Sequence, residues 1–518
     1  MKTRFSLLMT ALLICRMALC QVHISISDPQ TWSAEELQPY VGQTVIFDEP
    51  MVVCSNYNGY TIAPRRLYTP TNQALPRSND YYTMVSRNKS AALNLVGMND
   101  YHRCGEKIYN LKAIVNSNYS LTWLDGGVWQ GNTRADLEAG IPDVGDYSLL
   151  VCAYNLENYF LNSGNHDRQR KKIIDAFTRI NADLIGVVEM EEGNNGIKEI
   201  AEYLNTTLPD RQYKYCDNGS TSSYQTVAYI YDSKTVKPLG STQKINVGTK
   251  NRKKMQCFEE IATGERFIFS INHFKAKSGS GTGGNADMSD GQGSFNADRK
   301  EEAQAVVDNY KTWSRQIGEP DILIMGDLNA YAKEDPITVF ANNGMIDLHR
   351  AFHADSSYSY SYGDKLYGYL TTAGYLDHAI CNTTMRPQIT GMAAYHINSD
   401  ESDIYTYDKS GDTTMFRGSD HDPVLVGLKL DGTLVYDPSP KINSADILAG
   451  NATELVIYDA QKDGQKSFYA IYTTSGVLVS RAEILSELNE VQLPVSPGMY
   501  IVYIYFNGEA YRRSLIVR

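Results

Sequence analysis

Between Tyr147 and about Leu430 the sequence repeats one device: a short apolar run, then a stretch with helical spacing. The runs are Leu149–Tyr154, Leu184–Val188, Val227–Tyr231, Phe267–Ile271, Ile322–Met325, Leu376–Cys381 and Val424–Leu428. Runs this short and this apolar read as buried strands, while the apolar spacing of Arg168–Ile180 and Asn296–Trp313 reads as helix. Strands alternating with helices over this length predict an α/β domain with a large core. Several runs end on oxygen-bearing residues: Asn155 after Tyr154, Glu189 after Val188, and Asp327 and Asn329 after Met325 and Gly326. A buried strand that delivers a carboxylate needs a compensating partner, because an unpaired buried charge is very costly. One such residue alone reads as an ordinary strand end or turn. Together they predict a site for a hard divalent cation: Mg²⁺ foremost, with Ca²⁺ and Mn²⁺ as alternatives. Histidines accompany them. His273 follows the run Phe267–Ile271, His421 sits in Ser419-Asp420-His421-Asp422-Pro423, and Asp377-His378 lies inside another run. A histidine oriented by a carboxylate is suited to general acid–base work near neutral pH.

The flanks differ in character. The start carries Lys2 and Arg4, an apolar stretch from Leu7 to Cys15, and Ala18-Leu19-Cys20 before Gln21, which predicts a signal peptide over residues 1–20. A lipid anchor on Cys20 is the alternative, and Leu19 fits it poorly. Residues 21–146 are rich in Tyr, Asn and Pro with short alternating runs, predicting a β-rich domain that ends in the linker Ile141–Asp146. Residues 147–432 form the α/β segment. After Pro438 and Pro440, residues 441–518 alternate strongly and contain the hairpin signal Asn507-Gly508, predicting a small β-sandwich. The formal charge is -12, and removing Lys2, Arg4 and Arg16 takes it to about -15 (-12 minus 3). A polyanion must therefore be bound locally, through metal or basic patches. Beyond the first twenty residues no apolar run approaches the ~18 residues needed to span a bilayer. Cys54, Cys104, Cys152, Cys216, Cys257 and Cys381 remain after cleavage, and export would permit disulfides; Cys152 and Cys381 lie in strand-like runs and read as buried thiols. No CxxC pair exists, which argues against structural zinc.

Ordered motifs give the middle segment a close resemblance to the endonuclease/exonuclease/phosphatase superfamily, in particular its secreted bacterial nuclease branch. They are Tyr154-Asn155-Leu156-Glu157-Asn158-Tyr159-Phe160, Glu189-Met190-Glu191 and Asn272-His273-Phe274-Lys275-Ala276-Lys277. Asp290-Gly291-Gln292-Gly293 follows with Asn296 and Arg299, then Gly326-Asp327-Leu328-Asn329-Ala330-Tyr331 and Glu334-Asp335-Pro336. Last come Tyr375-Leu376-Asp377-His378, Tyr395-His396-Ile397-Asn398-Ser399-Asp400 and the segment around His421. The resemblance implies a four-layer α/β sandwich, two packed β-sheets flanked by helices. It implies that Asn155 and Glu189 hold the divalent metal, with Glu157 a neighbour and Asp420 assisting. Asp327 and Asn329 would position water and a phosphate oxygen. His421, oriented by Asp377, would be the base, and His273 the general acid or phosphate donor. It further implies hydrolysis of phosphodiesters in DNA, with RNA also considered; phospholipid or small-phosphoester hydrolysis on the same core is the alternative, and a non-catalytic surface binding module is the reading from another class.

Lys275 and Lys277 beside His273, Arg252-Lys253-Lys254, Asn296 and Arg299 are the candidates for substrate phosphates, and Arg168-Gln169-Arg170-Lys171-Lys172 is a further basic run that reads equally as a solvated face. The Gly-rich stretch Ser278–Gly293, with Asp287 and Asp290, reads as a mobile loop. His166, His349, His353 and His396 receive no catalytic assignment. Residues 21–146 faintly resemble OB-like domains. Residues 441–518 resemble the sorting domain of type IX-secreted proteins, through Ile471–Val479, Pro497–Val502 and the basic end Tyr511-Arg512-Arg513. That implies export, then release or surface attachment, with the secretion machinery as a partner. A monomer is expected.

Overall fold

The computed structural model describes residues 22–430, except 58, 125–126, 221, 223, 249–251, 355 and 365–369, and beyond them only Val477 and strand segments between 435 and 517. The expected signal peptide, Pro438, Pro440 and the Asn507-Gly508 turn lie outside the described residues. Two compact units result: one runs to Gly140 and takes in Ser361–Gly374 and Ser399–Tyr405, and the other holds the remainder.

The second unit is a mixed α/β structure. Its first sheet orders the strands Tyr213–Tyr215, Gln225–Asp232, Leu184–Glu191, Leu149–Tyr159, Val424–Leu428 and Ile389–Ala394. Its second sheet orders Val236–Lys244, Lys253–Glu260, Arg266–His273, Ile322–Asp327, Asp377–Cys381 and Ile346–Asp347. Each sheet contains one parallel pair at its centre: Leu149–Tyr159 with Leu184–Glu191, and Arg266–His273 with Ile322–Asp327. A parallel pair needs a long crossover. The helices His166–Ile180 and Asn296–Ile317 provide these crossovers.

The two sheets share one core. Val151, Ala153, Val188, Val227 and Tyr229 from the first pack with Phe258, Phe267, Phe269, Ile271, Leu323 and Met325 from the second. The sheets meet tightly at Gly186, where an added Cβ would lie 2.7 Å from the Ile271 Cδ1 and 2.9 Å from the Phe269 ring. Gly186→Ala is therefore expected to destabilise the protein by about 1–3 kcal/mol through overpacking, read as a lower urea midpoint; an unchanged midpoint would show that the two side chains repack freely. Helices cover the outer faces. His166–Ile180 buries Ile173, Phe177 and Ile180, residues three to four apart on one face. Asn296–Ile317 and Asp335–Asn342 bury Ala303, Val306, Val307 and Phe340 against Ile268, Ile322 and Ile324.

The first unit carries a nine-stranded sheet and the helix Asn79–Ala91 over a core including Trp32, Val45, Phe47, Val53 and Ile62. Asp400 and Glu401 are buried in it against three arginines: Arg66 lies 2.7 Å from Asp400, while Arg103 and Arg134 lie 2.7 and 2.6 Å from Glu401. Toward the C-terminus the described strands form a five-stranded sheet (Val435–Tyr436, Glu509–Val517, Gly498–Phe506, Phe468–Thr473, Leu478–Glu483) and a three-stranded one (Ala445–Ala449, Glu454–Asp459, Leu488–Gln492).

The six described cysteines are all buried free thiols, so the disulfides that export would permit are not formed among them. Burial pushes the thiols of Cys104, Cys216 and Cys257 up to about 12. No described helix is long and apolar enough to cross a membrane.

Candidate active site

Register alone assembles the first row of the site. In the second sheet His273 pairs with Asp327, and Asp327 with Asp377. Paired residues on neighbouring strands project to the same face, so three strands bring a histidine and two carboxylates side by side. Asp327 follows Gly326, whose φ is +117° and whose Cβ, if present, would lie 2.2 Å from the Asn272 carbonyl oxygen. Only glycine fits this crossing.

The first sheet contributes through irregular backbone. After Asn155 the register with the neighbouring strand shifts, and Glu157 and Asn158 adopt φ values of 52° and 59°. Glu189 at φ 58° and Asn329 at φ 47° are likewise left-handed. Such conformations in non-glycine residues cost ~1–3 kcal/mol each and persist only where surrounding structure imposes them. Here it does. Gln169 donates to the carbonyls of Leu156 and Glu157 at 2.6 and 2.9 Å, the Tyr407 hydroxyl donates to the Glu157 carbonyl at 3.2 Å, and the Asn158 amide donates to Glu189 at 3.0 Å.

The side chains converge. His273 Nε2 lies 3.6 Å from Glu189 Oε1 and 3.8 Å from Asp327 Oδ2. Asn155 Nδ2 donates to Asp327 Oδ2 at 3.1 Å, and its Oδ1 accepts the Glu157 amide. Asn329 donates its backbone and side-chain N–H groups to Asp327 at 2.8 and 3.2 Å. His421 Nδ1 is 2.7 Å from Asp377 Oδ2, and its Nε2 is 3.9 Å from both Asp327 Oδ2 and Asp420 Oδ1. All eight residues expected at the centre, with Glu157, thus meet in one site.

The electrostatics ask for a cation. Burial raises the Asp327 carboxyl to about 7, and burial with the neighbouring Asp420 raises Glu157 to about 8; Glu189 is raised for the same reasons. Burial opposes charge on His421, but Asp377, Asp420 and Asp327 outweigh it and hold the ring's proton well above the usual range. Glu189, His273 and Asp327 offer atoms within 4.8 Å of one another, and the buried Glu157 Oε2 has no hydrogen-bond partner among the described residues. Crowded hard-oxygen donors and an orphaned carboxylate oxygen fit a divalent cation.

The expected phosphate contacts divide. Arg252 lies beside His273, with Nη1 3.4 Å from Nδ1, and Lys275 sits half-exposed with its ammonium 3.9 Å over the Phe295 ring. Lys277, Asn296 and Arg299 are turned into the protein instead. Lys277 holds the buried Glu334, Asn296 donates to Asp335 at 2.8 Å, and the fully buried Arg299 donates to the carbonyls of Lys275, Gln292 and Ser294. A buried cation is retained only when paired, and these clamp both ends of the Gly-rich stretch. Lys253 pairs with Glu302 at 2.7 Å, Lys254 donates to the Val227 carbonyl at 2.8 Å, and Lys172 donates to the Phe416 carbonyl at 2.7 Å; all three are buried. His378 is also structural, bonding the Ala330 carbonyl at 2.7 Å.

Four supporting residues escaped sequence reading. The Ser359 hydroxyl donates to Asp377 at 2.7 Å, Ser419 donates to the Asn155 carbonyl at 2.7 Å, Asn398 donates to the Tyr154 hydroxyl and the His421 carbonyl, and Tyr360 lies over His421 at 4.6 Å between centroids. Ser419 and Asn398 stand inside quoted motifs, which was the available signal; Ser359 and Tyr360 carried none.

No family model matches this chain, and no curated protein matches it. Among solved structures it is similar to an endonuclease/exonuclease/phosphatase family protein from Bacteroides thetaiotaomicron, at 16% identity over 54% of this chain and 97% of that one, with a TM-score of 0.37. It is similar to a mannosyl-6-phosphatase of the same organism, at 17% identity over 54% and 99% with a TM-score of 0.36. It is similar to the human Nocturnin catalytic domain with bound sulfate, at 13% identity over 54% and 93% with a TM-score of 0.36.

Proposed function

We propose that this protein is a divalent-metal-dependent phosphodiesterase of the endonuclease/exonuclease/phosphatase superfamily that cuts DNA. The observation that carries the reading is the convergence of Glu189, Asp327 and His273 with the Asp377–His421 pair at one end of two packed sheets. Glu189, Asp327, Glu157 and Asn155 would hold the cation, Mg²⁺ by preference, with Asp420 assisting. When bound, the cation neutralises phosphate charge and polarises the bond to be cleaved. With the charge of Asp327 and Asp420 offset by the cation, His421 no longer keeps the proton those carboxylates hold on it and would take one from the attacking water at Nε2. Asp377 stabilises the resulting imidazolium through Nδ1 and is itself fixed by Ser359. Asp327 and Asn329 flank the water, and His273 donates to a phosphate oxygen.

Glu189→Gln is expected to raise the Mg²⁺ concentration for half-maximal activity at least ~10-fold, since losing a ligand is no milder than losing a group that merely orients one, which costs about 10–100-fold. An unchanged titration would remove Glu189 from the cation site. The test of the function is incubation of the full chain with closed circular DNA, linear DNA, RNA, sphingomyelin and a small phosphoester, with Mg²⁺, Ca²⁺, Mn²⁺ or chelator. Metal-dependent nicking of the circle is the expected result. Turnover of lipid or small phosphoester with nucleic acids intact would keep the site and replace the substrate. A small-phosphoester reading draws on one observation: Lys253, Lys254, Lys277 and Arg299 are committed internally, leaving Arg252 and Lys275 as the nearby cations expected from sequence. We read the protein further as an exported monomer whose residues 441–518 engage a secretion system; recovery of activity from medium only when that segment is present is the expected outcome.

A further inference from the structure

We propose that His396 and Asp422 form a second dyad beside the reacting centre that contacts a neighbouring phosphate of a polymeric substrate; this rests on the phosphodiesterase reading above. His396 Nδ1 lies 2.9 Å from Asp422 Oδ2, and the ring stacks on Tyr358 with centroids 3.8 Å apart and planes 5° from parallel. Asp422 is fully buried, and its other oxygen accepts the Asn398 amide at 2.8 Å. The His421 site is built to the same plan: Nδ1 on buried Asp377, the ring against Tyr360.

Chain connectivity makes the two dyads neighbours. Asp422 follows His421. Tyr358 and Tyr360 flank Ser359, whose hydroxyl donates to Asp377 and whose carbonyl accepts the Asp422 amide at 2.8 Å. Asn398 joins both, donating its side chain to the His421 carbonyl at 2.6 Å and its backbone to Asp422.

Exposure separates the roles. The His421 side chain is 8% exposed, whereas that of His396 is 26% exposed. A group that only braces a loop needs no open edge; one that meets the substrate's outer backbone does. An imidazolium set between a carboxylate and a phosphate oxygen donates from both ring nitrogens, giving two charge-assisted hydrogen bonds, and this is the contact the His396–Asp422 pair is built to make.

The test compares the full-length wild type with His396→Asn and His396→Gln on duplex DNA and on bis(p-nitrophenyl) phosphate, which has a single phosphate. Asn retains a donor toward Asp422 but lacks the outer nitrogen; the Gln amide reaches toward it. His396→Asn is expected to lower the ratio of kcat/KM on DNA to that on the small diester about 10-fold, through KM, and to reduce the salt slope of DNA binding by about 1, as loss of one phosphate contact does. His396→Gln is expected to recover part of both. Equal losses on the two substrates with an unchanged salt slope would overturn the proposal. Should His396→Asn fail to fold, Tyr358→Leu removes the stacking partner and is read by the same ratio and slope. A wild type that cleaves neither substrate with any metal would overturn the phosphodiesterase reading instead.

Discussion

His421→Ala is expected to lower turnover by about 10²–10⁴-fold, the range for loss of a positioned general base, while the protein remains folded and its metal titration is little changed. The ring is the only imidazole in the described site with Nδ1 on a buried carboxylate and Nε2 directed at the cluster, 3.9 Å from Asp327 and Asp420. Removing it leaves Asp377 with the Ser359 hydroxyl as its side-chain donor, so a modest loss of stability accompanies the loss of rate. His421→Gln fills most of the volume and separates the two effects. The competing account makes Asp327, raised to about 7, the base. Under that account His421→Ala loses less than ~10-fold and Asp327→Asn loses far more, so kcat for the two variants, with thermal melts as controls, decides between them.

Gly326→Ala is expected to cost about 3 kcal/mol or more. Two penalties combine: a left-handed φ of +117° and a Cβ 2.2 Å from the Asn272 carbonyl oxygen. The obstacle is backbone in the adjacent strand, which is itself paired on its other side with Lys253–Glu260, so neither partner yields cheaply. Any relief moves Asp327, the next residue. A displacement near 1 Å at a reacting centre costs on the order of 10²-fold in rate, so activity is expected to fall in the fraction that still folds. Urea denaturation with kcat on the folded protein checks both; an unchanged midpoint would show that the two strands separate without strain.

The apolar strands were legible because burial on both faces writes itself as an uninterrupted apolar run. Leu184–Val188 grows to Leu184–Glu191, Ile322–Met325 to Ile322–Asp327, and Val424–Leu428 is unchanged. Two of the missed strands hide for opposite reasons. Val236–Lys244 is an edge strand, mostly solvent-facing, so its composition is polar. Lys253–Glu260 is buried yet begins with two lysines, because Glu302 and the Val227 carbonyl satisfy them. The same blindness accounts for the substrate contacts. Lys277 and Arg299 read as phosphate binders since sequence displays a charge and conceals its partner; Glu334 and three carbonyls are the partners. The central acids and histidines were legible because each lies at or beside an apolar run: His273 and Asp327 end their strands, Asp377 begins one, Asn155 and Glu189 follow the apolar part of theirs, and His421 stands just before Val424–Leu428. Ser359 was not, for a serine bound to a carboxylate looks like any other serine.

The six unpaired, inaccessible sulfur atoms have a practical corollary. The described part of the chain holds its fold with no disulfide, so the same structure is expected at either redox poise, and a reducing agent added after purification is expected to leave it unharmed. Since a thiol reacts as thiolate and only when solvent reaches it, alkylation of these positions counts the molecules that have opened. The described residues thus carry six intrinsic gauges of unfolding, among them Cys152 and Cys381 in the two packed sheets of the second unit and Cys54 and Cys104 in the first unit. Their order of labelling reports which unit opens first.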